Sequence, residues 1–159
     1  MDALISDFGQ RLAAAAIERK WSAVHAMLAP WLQASMSVDG VRKFFEDDYQ
    51  RLLEQNGIKE HHYPKVPYVS GNETSLEFLR KKPSWLPRPR PIPHEITPEN
   101  FRWWMQIQLQ CDEEQANRLD CDYLTDIWLI VVEFGSELRV GYWSHDPYEV
   151  APADWTEGG

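Results

Sequence analysis

The chain has 159 residues, 43% of them hydrophobic, and a chain of this length can bury roughly two thirds of its unfolded surface in one domain. Its 16 lysine and arginine residues against 25 aspartate and glutamate residues give a net charge of −9, which repels phosphate backbones and argues against nucleic-acid binding. No apolar run is long enough to span a membrane, and the start, MDALISDFGQRL, lacks the basic residues of a secretory signal. We therefore expect a cytoplasmic protein with a single domain.

The cysteines and histidines do not have the spacing of a metal site. Cys111 and Cys121 bracket an acidic segment, and in a chain without a secretion signal two free thiols are favoured over a disulfide. We expect neither a metal nor another cofactor.

Three amphipathic helices are predicted to form a helical layer over residues 1–57. From Leu4, apolar residues recur every three or four positions in an alanine-rich run, which predicts a first helix to about residue 20. A second helix begins at Trp21 and should end or bend at Pro30. Ser37 is suited to cap a third helix, which should stop at residues 56–57, an Asn-Gly pair. The apolar stripe of this third helix comprises Val41, Phe44, Phe45, Tyr49, Leu52 and Leu53.

Residues 58–100 are interpreted as a proline-rich crossover, since residues 63–98 hold eight of the eleven prolines. Residues 80–82 and 87–91 add basic side chains, and alternating prolines favour polyproline II, which cannot donate the hydrogen bonds of a sheet. Two interpretations stay open. The segment is either an arm that docks a partner or a crossover packed over the sheet. In the second case the packing residues would be Tyr68, Phe78, Trp85 and Ile92, with a short strand or helical turn around residues 74–79.

A half-buried antiparallel strand is predicted for residues 101–111, because its side chains alternate in character. The odd-numbered residues, which share one side of the strand, are all apolar and should face the helices: Phe101, Trp103, Met105, Ile107 and Leu109. The acidic connection that follows, residues 112–122, should reverse the chain and could hold one helical turn.

A β-hairpin is predicted for residues 123–145, since two runs rich in β-branched and aromatic residues flank Gly135 and Ser136. A two-residue turn with a positive φ at its first position suits this pair. Counting back from the turn gives the predicted register: Phe134 opposite Glu137, Val131 opposite Val140, Leu129 opposite Tyr142, Trp128 opposite Trp143, and Asp126 opposite His145. Residues 101–146 thus form the sheet, and residues 147–159 a tail.

The face of this sheet opposite the helices is predicted to carry a large apolar patch. Its members would be Trp104, Trp128, Ile130, Phe134 and Trp143. Monomers rarely leave such a patch bare. We expect a homodimer through this face, unless the proline-rich segment covers it.

Together these elements predict an α+β fold in which three amino-terminal helices pack on a curved antiparallel sheet. This order resembles the nuclear-transport-factor-like superfamily, also called SnoaL-like, ketosteroid-isomerase-like or cystatin-like. The resemblance is carried by WSAVHAMLAPWL, VRKFFEDDYQRLL, DIWLIVVE and ELRVGYW. It implies a cone-shaped fold with a pocket between helices and sheet, and face-to-face dimers. It also implies a range of functions that includes isomerases, dehydratases, transport factors and toxin-immunity proteins.

If the apolar parity faces the helices, a pocket there would be lined by Tyr49, Trp103, Met105 and Tyr142. His25 follows the stripe of the second helix closely enough to point inward, where an imidazole could act as an acid or base. It could equally be a boundary residue. Asp126 and His145 form a second candidate for proton transfer, although such a cross-strand pair is also an ordinary structural contact.

Two functions follow from these residues. A non-catalytic module would grip a small apolar molecule or a partner protein, for example as an immunity protein whose acidic surface complements a basic toxin. An isomerase-like or dehydratase-like enzyme would use a pocket acid or base. No Ser or Cys nucleophile motif is present, and we favour binding.

Overall fold

The computed structural model describes residues 2–81 and 90–151, in which helices precede a four-stranded antiparallel sheet, so the predicted α+β class is confirmed. The helices are α1 (Ala3–Ile17), α2 (Trp21–Ala26), α3 (Pro30–Ser35), α4 (Val38–Gln55), α5 (Leu76–Arg80), α6 (Glu113–Leu119) and α7 (Pro147–Val150). The strands are β1 (Val66–Asn72), β2 (Phe101–Gln110), β3 (Tyr123–Phe134) and β4 (Glu137–Ser144). They lie side by side in the order β1-β2-β3-β4.

The amino-terminal layer contains four helices where the sequence predicted three. Pro30 was expected to end or bend the second helix, but it is the first residue of α3. A proline is tolerated there because the first helical N–H has no partner within the helix. Ser37 caps α4 as predicted, since its hydroxyl accepts a hydrogen bond from the Gly40 N–H at 3.0 Å.

The proline-rich crossover contains a strand, β1, that the sequence did not predict. The sequence pattern did not indicate a strand here because Pro67 and Gly71 are both unfavourable within strands. A proline is accommodated here because β1 is an edge strand that pairs only with β2 among the described strands. The helical alternative for residues 74–79 is confirmed by α5. Trp85 lies outside the described residues, as does the rest of residues 82–89 and the end of the tail from residue 152.

The sheet has an inner face toward α1, α2 and α4 and an outer face on the opposite side. Leu129 and Val131 are fully buried in the inner core, as their parity predicted, and Trp103 is half-buried against it. The outer face is covered by α5, by residues 92–96 and by α7. The buried residues of this second core include Leu76, Leu79, Ile92, Ile96, Trp104, Trp128, Ile130, Val132 and Val150.

Basic residues of the crossover donate to backbone carbonyls of the crossover itself and of Ala151. The Arg80 guanidinium donates to the carbonyls of Ile92, Pro93 and Ile96 at 3.3, 3.0 and 2.6 Å. Arg90 donates to the carbonyls of Leu79, at 3.2 Å, and Ala151. The second interpretation, in which the crossover packs over the sheet, is supported by its buried residues Leu79 and Ile96, which share a core cluster with Trp128 of β3.

The predicted register of the hairpin is correct near its turn and wrong beyond it. Phe134 pairs with Glu137 and Val131 with Val140, but the pairing then shifts by one residue, so Leu129 lies opposite Trp143. The extra residue is Gly141, which forms a β-bulge and exchanges the faces of the residues that follow it. Both turn residues, Gly135 and Ser136, have positive φ values, of 59° and 65°. A positive φ was expected only at Gly135.

A similar irregularity lies at the start of β2. The predicted apolar parity is confirmed for Met105, Ile107 and Leu109, which are buried in the inner core. A register shift between Phe101 and Trp103 places Phe101 against the outer core instead.

The acidic connection holds α6, a seven-residue helix longer than the single turn that was considered. Asp112 and Gln115 form a capping box at its start.

Cys111 and Cys121 are free, as predicted. Burial, together with the neighbouring Cys121, raises the pKa of the Cys111 thiol to about 11. In residues 2–81 and 90–151 there is no helix with both the length and the apolar character needed to cross a membrane.

Candidate functional site

A cleft of about 640 Å³ lies where the first turns of α1 meet the end of α2, the start of β2 and the β3–β4 turn. We call it the hairpin cleft. Its apolar lining includes Ile5 and Phe8, which are buried, and Met27 and Leu138, which are half-buried. The tight turn brings Leu138 back toward α1, and the helical spacing of Ile5 and Phe8 puts both on the face that meets the sheet.

Most of the other lining residues are charged. They include three arginines and four carboxylates: Arg11, Arg102, Arg139, Asp2, Asp7, Glu133 and Glu137. Each arginine is paired, Arg11 Nε with Asp7 at 2.9 Å, Arg102 with Glu133 at 2.6 Å, and Arg139 with Glu137 at 2.7 Å. The cleft therefore combines an apolar surface with ion pairs at the protein surface.

A second cleft, of about 580 Å³, lies beside a polar group that we call the Asp48 cluster, formed by Phe44, Asp48, Arg51, Thr125 and His145. Asp48 is 6% exposed and accepts from the Thr125 hydroxyl at 2.6 Å and from Arg51 Nε at 3.1 Å. His145 Nδ1 lies 3.4 Å from the Asp48 carboxylate. The cluster joins α4 to β3 and to the end of β4.

Both ring nitrogens of His145 contact backbone carbonyls. Nε2 lies 2.7 Å from the Phe44 oxygen and Nδ1 lies 3.2 Å from the Asp126 oxygen, while the ring stacks on Phe44 at 4.2 Å. Because a carbonyl oxygen only accepts, each contact is a hydrogen bond only when that nitrogen carries a proton. This arrangement fixes the ring firmly between α4 and the sheet.

The predicted pairing of Asp126 with His145 is wrong for the side chains, because the bulge at Gly141 shifts the register. The Asp126 carboxylate instead accepts from Gln106 at 2.9 Å and from Gln108 at 3.5 Å on the outer face. His145 contacts the Asp126 backbone carbonyl, and its side-chain partners are Asp48 and Thr125, each 3.4 Å from Nδ1.

His25 lies on α2 and is half-buried. Its Nε2 is 2.8 Å from the Met36 carbonyl, and its own carbonyl accepts from Gln33 at 3.1 Å. The ring thus connects α2 to the end of α3, which corresponds to the boundary role considered from the sequence.

The predicted pocket residues are divided between the inner core and the second cleft, which Tyr142 lines. Tyr49 and Met105 are buried in the inner core and Trp103 packs at its edge, and neither cleft described above is lined by any of the three. Burial raises the pKa of Tyr49, whose hydroxyl has no hydrogen-bond partner among the described residues. Tyr142 was expected on the inner face, but the bulge places it on the outer face, where its hydroxyl donates to Glu149 at 2.9 Å.

The predicted interface residues are spread over both faces and the turn. Trp104, Trp128 and Ile130 lie on the outer face as expected, but they are buried within one chain. Trp143 faces inward, contrary to the prediction, and stacks on Phe44 at 4.4 Å. Phe134 is 47% exposed near the turn and contacts the edge of Trp31.

Sequence reasoning missed Asp48 and Thr125. A signal existed for Asp48, since it lies three residues after Phe45 on the buried stripe of α4, where a carboxylate needs a partner. The partners Thr125 and His145 are 77 and 97 positions away along the chain, and no local pattern predicts such contacts. Arg102 and Arg139 were likewise missed, because the turn and the start of β2 meet only in the folded sheet.

No protein-family model, curated protein or solved structure matches the chain. Within the described ranges, no three His, Cys, Asp or Glu side chains are grouped so that they could hold a metal ion. The two clefts are therefore the candidate sites for function.

Proposed function

We propose that this protein is a non-catalytic binding module and that the hairpin cleft is its ligand site. The observation that carries the proposal is the combination, in one cleft of about 640 Å³, of an apolar lining with paired arginines. Ligand sites commonly have volumes of about 300 to 1,000 Å³ and combine apolar surface with a few polar groups. The bound partner would be a small apolar molecule or a segment of a protein.

Binding is favoured over catalysis because the candidate acids and bases are engaged in the fold. His25 bonds to the Met36 carbonyl, and the Asp126 carboxylate accepts from two glutamines. Such contacts are those of structural residues. An immunity protein that neutralises a basic toxin is one form of this proposal, supported by the net charge of −9.

We also propose membership of the nuclear-transport-factor-like superfamily, supported by the order of helices and antiparallel strands. The homodimer that this resemblance implies remains a proposal. The outer patch through which it would form is covered by the chain's own crossover and α7.

A thermal-shift screen of small molecules tests the binding function. Ala26 is exposed in the hairpin cleft, and Ala23 is exposed on the same helix but does not line the cleft. We expect some compounds to raise the melting temperature of the wild type and of Ala23→Trp, but not of Ala26→Trp, whose indole would occupy the cleft. Hits that stabilise all three proteins equally, or a screen with no hits, would contradict the proposal.

Acid–base catalysis is the second candidate, because the cleft of about 580 Å³ touches both Asp48 and His145. A proton held between these side chains could be given to a ligand bound there. Substituting His145→Gln should then abolish turnover of any substrate found, while leaving ligand binding at the hairpin cleft unchanged.

A further inference from the structure

Two arginines of the hairpin cleft are positioned by backbone groups. Arg102 Nη1 donates to the carbonyls of Glu99 and Phe101 at 2.7 and 2.8 Å. Arg139 Nη1 donates to the carbonyl of Ala26 at the end of α2. Because these acceptors belong to the main chain, they fix each guanidinium independently of its carboxylate partner.

The carboxylates that pair with these arginines are held much less firmly. The side chain of Glu137 is 68% exposed and that of Glu133 is 41% exposed, and among the described residues the only side-chain partner of each is its arginine. Exposed ion pairs are weak, since solvation and side-chain entropy oppose them. Either glutamate can therefore turn into solvent without disturbing the core.

Arg139 also has an unused donor. Its Nε is buried and has no hydrogen-bond partner among the described residues, while its Nη atoms bond to Ala26 and Glu137. A guanidinium binds a carboxylate best through two parallel N–H groups, and one neighbouring glutamate oxygen at Nη2 does not achieve this. A ligand carboxylate at Nη2 would gain this second bond once the atoms that cover Nε move aside.

The adjoining surface is apolar. Ile5, Phe8 and Leu138 line the cleft beside the arginines, and Leu4, which is 74% exposed, lies at its edge. A ligand whose charge lies at Arg102 and Arg139 would place its remaining atoms against these side chains.

We propose that the hairpin cleft binds a carboxylic acid with an apolar body, whose carboxylate replaces Glu133 and Glu137 as the partner of Arg102 and Arg139. This inference rests on the proposed binding function and specifies its ligand class. The two glutamates occupy the anion position in the free protein and are displaced when the ligand binds. They also compete with it.

Titration with octanoate, followed by the backbone amide signals of the ¹⁵N-labelled protein, tests this proposal. We expect the signals of the cleft residues to shift, and Arg139→Gln or Arg102→Gln to weaken binding about tenfold or more, as expected for loss of a charge-assisted hydrogen bond. Glu137→Gln should tighten binding, because it removes the competing charge. Arg42→Gln is the control, since Arg42 forms a similar pair with Asp39 at 2.9 Å on α4.

Octanol and octylamine have matching apolar chains and separate the possible failures. If either compound binds in the cleft as tightly as octanoate, the proposed ligand class of carboxylic acids is wrong, although the binding function stands. If none of the three shifts the cleft signals, the inference is also wrong, and the screen with Ala26→Trp decides the binding function by itself. Should Arg139→Gln fail to fold, the exposed Glu137→Gln still decides, because weaker or unchanged octanoate binding would contradict displacement.

Discussion

Single residues of the sheet illustrate how far alternation can predict burial. Leu129 and Val131 are fully buried on the inner face, as their parity required. Trp143 lies on the face opposite to its prediction, because one extra residue, Gly141, changes the parity of everything after it in β4. A Cβ at Gly141 would lie 2.7 Å from Val132 Cγ1, so the bulge position has room only for glycine.

Leu129→Ala should lower the free energy of unfolding by about 2 to 5 kcal/mol, because it leaves a cavity in the core between α4 and the sheet. Urea unfolding measures this loss. The matched control is Leu4→Ala at a position that is 74% exposed, where a change within about 0.5 kcal/mol is expected. A loss under half a kcal/mol at Leu129 would mean that the faces of the sheet are wrongly assigned.

At the scale of elements, the contact between α1 and the sheet depends on a glycine. Gly9 lies in the middle of α1, where alanine would be the better helix former. A Cβ there would lie 2.7 Å from Val69 Cγ1 and 2.8 Å from Met105 Sδ. The missing side chain lets the helix pack closely against β1 and β2.

Gly9→Ala should therefore destabilise the protein by about 1 to 2 kcal/mol, since overpacking outweighs the gain in helix propensity. Gly40→Ala in α4 is the comparison. There the nearest atom to a new Cβ would be Cγ of Met36, at 3.1 Å, and this flexible side chain can move. We expect Gly40→Ala to be neutral or to stabilise by up to about 1 kcal/mol in the same urea experiment. Equal effects of the two substitutions would contradict the close packing of α1.

At the scale of the whole molecule, the chain covers most of its own apolar patch. Trp128 is only 6% exposed beneath the crossover and the carboxy-terminal α7. Replacing it with glutamate would disrupt the fold of a monomer as well as any dimer. Phe134, at 47% exposed, is the better residue with which to probe association.

Light scattering at micromolar concentration tests the predicted homodimer. A dimer through the outer face should give twice the chain mass of 18.6 kDa, and Phe134→Glu should return it to the mass of one chain. A wild type with the mass of a single chain would contradict the homodimer, and the outer face would then be covered within one chain by the crossover and α7.

The sequence by itself determined the α+β class, the limits of α4, the buried parity of β2 and β3 and the position of the hairpin turn. Each of these follows from local periodicity and from capping or turn residues, which act over a few positions. Only the tertiary structure decided the bulge at Gly141, the strand β1 and the partners of Asp48 and His145. Strand pairing and side-chain contacts between distant segments depend on how the layers pack, and one inserted residue reverses a whole face. The hairpin cleft belongs to this second group, because α1, α2 and the β3–β4 turn meet there only after folding.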